Sequence, residues 1–267
     1  MISKSYEDIK DTYRPGHADY TYDIKYGIRD YRGGGRSSAR ETAGRVAAAA
    51  IGKKILSMNG IRTIGYVRQI GDIVAERIDF NEIENNPVRC PDPQKAQEMI
   101  NLIEEVRRDG DSIGGIVEVV SAGVPPGLGD PVFNKIDADL AQALMSIGGI
   151  RGVEIGMGFG VSRRRGSEVN DVMYVDDSGR LRFKTNNAGG ILGGITNGED
   201  LVIRIAIKPT SSIPKTQETV DRFGRLKELV VKGRHDPCLC PRAVPIAEAM
   251  GNLVLVDHLL MTRVVRI

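Results

Sequence analysis

The chain has 267 residues, 32 of them glycine, with a formal net charge of +2. That length supports one large domain or two small ones with a sizeable core. The balanced charge argues against a nucleic-acid-binding tail or an acidic partner surface, and 5% aromatics with no Trp argues against a base-stacking platform. Three cysteines (Cys90, Cys238 and Cys240), an odd number without a secretory leader, read as free thiols in a reducing cytoplasm. The stretch 1–10 is polar, and no apolar run is read as long enough to span a membrane.

In chain order, residues 1–36 read as extended or loop, rich in tyrosine and charge. Gly33, Gly34 and Gly35 then precede Arg36, Ser37, Ser38, Ala39, Arg40 and Glu41. Ser38 and Glu41 have capping-box spacing, so a helix is predicted over 38–57 with Ala43, Val46, Ala47, Ala50 and Ile51 on one face. Strands are predicted at 61–70 and 73–80, and a helix from Asp92 and Pro93 to Gly110. A buried strand at 113–121, a Pro/Gly loop and a helix near 136–147 come next. Strands follow at 151–156, 172–176, 181–185 and 201–208, with the glycine-rich turn NNAGGILGG before the last. A final helix runs from Pro241 to about Arg263, presenting Ile246, Met250, Leu253, Val254, Val256 and Leu260. Strands and helices interleave without linker or repeat, which indicates one α+β or α/β domain.

Four stretches could carry chemistry. The start of the 38–57 helix offers unpaired N–H groups beside Arg36 and Arg40, suited to an anion; an ordinary capped helix with solvated arginines would look the same. His17 sits in Arg14-Pro15-Gly16-His17-Ala18-Asp19 and His235 in Lys232-Gly233-Arg234-His235-Asp236-Pro237. A histidine beside Arg and Asp on a stiff turn is a proton-transfer candidate, or a structural loop residue. His258, among apolar neighbours, reads as packed helix. Lys208-Pro209-Thr210-Ser211-Ser212 closes a strand with a cation and three hydroxyls, which can hold a phosphate or form a solvated turn. Cys238-x-Cys240 lacks zinc-ligand spacing and reads as two free thiols, and Arg163, Arg164 and Arg165 read as a solvated run. Together these residues describe a site for an anionic, phosphorylated ligand.

In order, the motifs resemble the chorismate synthase family. The resemblance rests on RPGHADYTYDIKYGIRDYRGGGRSSARETAGRVAAAAI at 14–51, GGIVEVVSAGVPPGLGDPVFNKIDADLAQALMSI at 114–147, NNAGGILGGITNG at 186–198, KPTSSIPK at 208–215 and KGRHDPCLCPRAVPIAEAM at 232–250. It implies an α+β core of packed antiparallel sheets with helices outside, assembled as a cytoplasmic homotetramer with no nucleic-acid or membrane partner. It implies a 1,4-anti elimination of phosphate from 5-enolpyruvylshikimate 3-phosphate, giving chorismate, that requires reduced FMN. NADPH enters only as a reductant where a reductase activity exists. By the same resemblance His17 and Asp236 are the catalytic candidates. Arg36, Ser37, Ser38, Gly148, Gly149, Gly193, Lys208, Pro209, Thr210, Ser211, Ser212 and Arg234 are flavin contacts, and Arg40 and Arg234 are substrate contacts.

Against the family pattern, residues 1–267 read as a single chorismate synthase domain lacking an N-terminal region. That region holds a Gly-Glu-Ser-His-Gly motif with a second catalytic histidine and an arginine-rich substrate segment. The expectation is impaired activity and unpaired sheet edges. The alternative reading is an inactive remnant that binds FMN or assembles with other subunits.

Overall fold

Three apolar runs with a two-residue period build the centre of the molecule. A computed structural model describes residues 7, 9–32, 38–231 and 235–265. The first helix is α1 (Asp19–Tyr26), and α2 (Thr42–Met58) follows a 3₁₀ turn at Ala39–Glu41. Then come β1 (Arg62–Ile70), β2 (Ile73–Val74), α3 (Pro93–Arg108), β3 (Gly115–Ala122), α4 (Ile136–Met145) and β4 (Ile150–Ile155). The short α5 (Gly166–Val169) precedes three small strands, β5 (Met173–Val175), β6 (Leu181–Phe183) and β7 (Ile191–Leu192). The chain continues through β8 (Ile195–Thr196), β9 (Leu201–Ile207), β10 (Gln217–Val220), β11 (Leu226–Leu229) and α6 (Cys240–Val265).

β2-β1-β3-β9-β4 form one antiparallel five-stranded sheet, and β5-β6, β7-β8 and β10-β11 form separate ribbons. The α+β expectation is met. Alternation places Val117 and Val119 beside Leu201, Ile203 and Ile205 on the core face, all buried. α6 packs over β1 and β3, α4 over α6 and β4, and α2 over α6. On the opposite face Tyr66, Glu118, Arg204 and Glu154 stand in register across four strands. The Tyr66 hydroxyl donates to Glu118, and Arg204 donates to Glu118 at 2.5 Å and to Glu154 at 3.4 Å. Burial and the Glu118 carboxylate push the Tyr66 hydroxyl well above its ordinary range.

Several expectations need correction. Part of the 1–36 stretch is helical: α1 runs from Asp19 to Tyr26 and ends on the left-handed Gly27. The 73–80 strand shrinks to Ile73–Val74, because Asp79 caps a 3₁₀ turn at Phe80–Asn85. Ser38 caps through the Arg40 N–H at 3.4 Å, and the Glu41 carboxylate pairs with Arg45 at 2.8 Å, so the capping box is not closed. The buried face of α2 is Thr42, Ala49, Gly52 and Leu56, while Ile51 is exposed. In α6 the buried residues include Val244, Ala247, Leu255 and Leu259, and Leu260 is exposed. The α2 shift has one cause: α2 and α6 pack against each other, and small residues at the crossing let the axes approach. A Cβ on Gly52 would meet Val256 Cγ1 at 3.3 Å.

The reading that no apolar run reaches membrane-spanning length is also corrected. By length and composition α6 is long and apolar enough, with mean hydropathy 1.3 over an 18-residue window within Cys240–Val264. Yet 56% of that window is buried within the fold, as in the core helix of a soluble protein.

Candidate functional site

β3 begins, β9 ends and β4 begins at one end of the sheet, where Gly115 and Ile150 both pair with Ile207. Four stretches that are distant in sequence meet there: 14–19, 146–150, 208–212 and 235–240.

The first is built locally. Pro15 and Gly16 close a turn in which the His17 N–H donates to the Arg14 carbonyl at 3.2 Å. Gly16 has φ +66°, and a Cβ there would meet Ser211 Oγ at 3.1 Å, so the turn needs glycine for both conformation and space. Asp19, with a side chain only 6% exposed, is held on both oxygens. Arg14 donates from its backbone N at 3.0 Å, Nε at 2.8 Å and Nη2 at 2.8 Å, and Arg29 Nη1 lies at 3.0 Å. His17 Nδ1 lies 3.1 Å from Asp19 Oδ1. Arg14 Nη2 lies equally close to that nitrogen, at 3.1 Å, so Nδ1 is held between a carboxylate that accepts and a guanidinium that donates, and its role follows the tautomer of the ring. Burial alone would raise the Asp19 carboxyl, but the hydrogen bonds from Arg14 and His17 outweigh it and hold that group far below the ordinary carboxylate range.

The second and third stretches lock onto the first. Lys208 Nζ donates to the Gly16 carbonyl at 2.5 Å and to Ser211 Oγ at 2.6 Å, and Ser211 Oγ donates to the same carbonyl at 2.8 Å. The Lys208 backbone N–H donates to the Gly149 carbonyl at 3.0 Å. Burial lowers the Lys208 ammonium, and the Arg151 cation adds to that. Ser112 Oγ anchors the loop through the Thr210 carbonyl at 2.7 Å. The Thr210 hydroxyl is buried and has no hydrogen-bond partner in the protein. Pro209 is exposed and Ser212 half-buried on this loop, and Gly148 is exposed beside Gly149.

The helix start at Ser38 and Arg40 is tied in from the side. Arg45, one turn into α2, donates to Ser146 Oγ at 2.6 Å, three residues before Gly149. Arg40 is exposed near the N-terminus of α2.

The fourth stretch is anchored by the Ile113 N–H, which donates to the Pro237 carbonyl at 2.7 Å. Asp236 pairs with Arg242 at 2.7 Å, and His235 Nε2 lies 3.0 Å from the Val231 carbonyl. These groups border a cleft of about 650 Å³ that Arg107, Asp111 and Pro214 also line. Lys215 reaches Asp111 at 2.7 Å, so the 208–215 loop runs from the His17 turn to this cleft.

Gly193 is the exception. Its hairpin, β7-β8, sits at the other end of β9, where the Ile136 N–H donates to the Gly194 carbonyl at 3.0 Å. The seven residues of β9 span about 20 Å, so within one chain Gly193 does not join the Lys208 cluster. Arg36, Ser37 and Arg234 lie outside the described residues, as do Gly33, Gly34 and Gly35. His258 is packed as expected: it is buried, with Nε2 2.8 Å from Asp139. Arg29, Ser112, Arg45 and Ser146 were not singled out from sequence, because each lies in another segment from the group it holds. Among the described residues no cluster of three or more His, Cys, Asp or Glu could hold a metal ion.

A family model described as chorismate synthase matches residues 1–260. A chorismate synthase of Chloroflexus aurantiacus is 56% identical over 265 residues, covering 99% of this chain and 73% of that protein. One of Methanosarcina mazei is 56% identical over 263 residues, covering 97% of this chain and 72% of that protein. A crystal structure of chorismate synthase superposes with a TM-score of 0.76 at 36% identity, over 92% of this chain and 70% of the other.

Proposed function

The chain belongs to the chorismate synthase family, and we propose that the Gly16–Lys208–Gly149 cluster and the Asp236 cleft are its ligand-binding surfaces. Membership makes the protein a lyase of aromatic amino-acid biosynthesis, in a family that uses reduced flavin. The reaction is phosphate elimination from 5-enolpyruvylshikimate 3-phosphate to chorismate. We read residues 1–267 as a single domain of that kind, acting in the cytoplasm as a homotetramer, with NADPH only as an external reductant of the flavin.

The residues fit a flavin phosphate. One ammonium and the hydroxyls of Ser211 and Ser212 share a loop, and the buried Thr210 hydroxyl lacks a protein partner. Lys208, Pro209, Thr210, Ser211 and Ser212 would hold the phosphate and ribityl chain. Ser38, Gly148 and Gly149 would border the ligand, Arg36, Ser37 and Arg234 would complete the contacts within one chain, and Gly193, at the far end of β9, would join them only from another copy of the chain. When bound there, reduced FMN would supply the reversible electron donation that phosphate loss requires.

The protein's own part is charge and proton control. Arg40 and Arg234 would neutralise the substrate phosphate and carboxylates. His17, its ring positioned at Nδ1 by Asp19 and Arg14, would be the group for proton transfer. Asp236, at the rim of the cleft, would accept the proton that departs as phosphate leaves.

The observation that carries this reading is the Lys208 ammonium bound to both Gly16 and Ser211, because it joins two family motifs 192 residues apart. The test is anaerobic incubation with reduced FMN and substrate while chorismate and phosphate are followed together. Equal amounts of both, lost in a His17→Ala, Asp236→Ala double variant, support the reading. Phosphate without chorismate, or equal amounts that survive the double variant, would overturn it.

A further inference from the structure

Arg29 carries a buried cation that lies outside both histidine motifs. It follows α1, beyond the left-handed Gly27, and its side chain is 7% exposed. A buried charge is costly unless it is paired and its donors are satisfied. Here each guanidinium nitrogen faces oxygen. Nη1 lies 3.0 Å from Asp19 Oδ2, and Nε lies 3.8 Å from Asp23 Oδ2. Nη2 donates to the carbonyls of Lys10 at 2.6 Å, Thr12 at 3.0 Å and Ile9 at 3.2 Å.

The backbone that Arg29 grips is fixed from its other side by the β10–β11 ribbon. The Tyr13 N–H donates to the Val220 carbonyl at 3.1 Å, and the Arg222 N–H donates to the Asp11 carbonyl at 2.8 Å. The Thr219 hydroxyl donates to the Tyr13 carbonyl at 2.5 Å. The bonds inside the His17 turn are local by contrast. Arg14, His17 and Asp19 hold one another within six residues, so they can move as a unit. Lys208 and Ser211 attach that unit at one point, the Gly16 carbonyl. One point of attachment leaves rotation about it. Arg29 supplies a second, on Asp19.

We propose that Arg29 is the positioning residue for His17, tying the carboxylate behind the imidazole to the 9–13 backbone and the β10–β11 ribbon. Asp19 Oδ2 takes Arg14 and Arg29 as donors, while Oδ1 faces the His17 ring. Arg29 therefore sets which carboxylate oxygen the imidazole meets, and from which direction. The proposal rests on the reading of His17 as the proton-transfer group. Arg29 acts on that group through Asp19, not by touching a ligand.

The experiment compares the full chain with Arg29→Gln and Arg29→Lys. The chain has only three histidines, so their ring signals can be followed in long-range proton–nitrogen NMR spectra, with His17 assigned by its loss in His17→Gln. In Arg29→Gln the His17 signals are expected to shift and broaden, while those of His258, packed on Asp139, stay in place. Turnover should fall about 100-fold, with KM and the reduced-flavin dissociation constant within about twofold of the parent. Arg29→Lys keeps a charge for Asp19 but cannot serve the three carbonyls as well, so it should fall between the two on both readouts. It also carries the test should Arg29→Gln fail to fold. A merely structural arginine would lower stability and leave the ring signals and turnover in place. Unchanged His17 signals in a folded variant, or altered signals in an active enzyme of unchanged turnover, would overturn the proposal. A parent chain that forms no chorismate counts against the proposed function instead, and the ring signals alone then decide whether Arg29 positions His17.

Discussion

The two histidine turns look alike in sequence and differ in the fold. Each places an arginine, a histidine and an aspartate within six residues. In the first, Asp19 is buried between Arg14 and Arg29 and fixes the His17 ring. In the second, Asp236 is 33% exposed, pairs with Arg242 beyond the motif, and leaves His235 to a backbone carbonyl. One motif thus yields an oriented imidazole on a rigid base, and the other an accessible carboxylate at the rim of a cleft. The difference comes from Arg29, which doubles the positive charge on Asp19 and stacks over Tyr13 at 5.2 Å.

Substitutions can break this contrast in order of expected effect. Asp19→Ala leaves two arginines beside each other without their carboxylate, and unfolding should cost about 3–5 kcal/mol less than in the parent. Chemical denaturation measures this, and a loss under 1 kcal/mol would place Asp19 among ordinary surface pairs. The pH dependence has a definite sign. Because the folded carboxyl sits below its unfolded value, its stabilisation is complete above the unfolded value of about 3.9 and is lost as pH falls below it. Asp19→Asn should therefore flatten the acid limb of a stability–pH curve and leave its alkaline limb unchanged.

His17→Ala should lower turnover by about 10²–10⁴ while flavin affinity changes little, since the ring is assigned to proton transfer rather than to holding the ligand. Steady-state rates and a flavin titration on the same protein separate the two effects. At the small end, Arg242→Ala removes an exposed partner of Asp236 and should change stability by no more than about 1 kcal/mol. A larger loss would mean that the second turn is braced as firmly as the first.

Much of the fold was legible because its signals are local. Asp92 and Pro93 start α3 as read, with the Asp92 carboxylate accepting from Gln94 and Lys95. The alternation in 113–121 and 201–208 marks the two central strands. The face of α2 was misjudged, because apolar content does not tell which side meets another helix when Ala and Gly form the crossing; in α6 Ile246, Met250, Val254 and Val256 do pack against the core, and Leu260 does not. The site divides the same way. The turn at Gly16 and the loop at Lys208 each carry a recognisable motif, but only folding shows the ammonium of one bound to the carbonyl of the other. Arg29 and Ser112 carry no motif at all, since their partners lie across tertiary contacts.

The central claim is that the Lys208 loop, seated on the Gly16 turn, forms one anion-holding surface for the flavin phosphate. An anaerobic titration of reduced FMN into the parent and into Lys208→Ala tests it most directly. Loss of one charge-assisted contact of about 1.5–3 kcal/mol predicts a dissociation constant weakened about 10- to 150-fold, with the fold retained by circular dichroism. An unchanged constant in a folded Lys208→Ala protein would contradict the account and leave that lysine as a structural clasp between two loops.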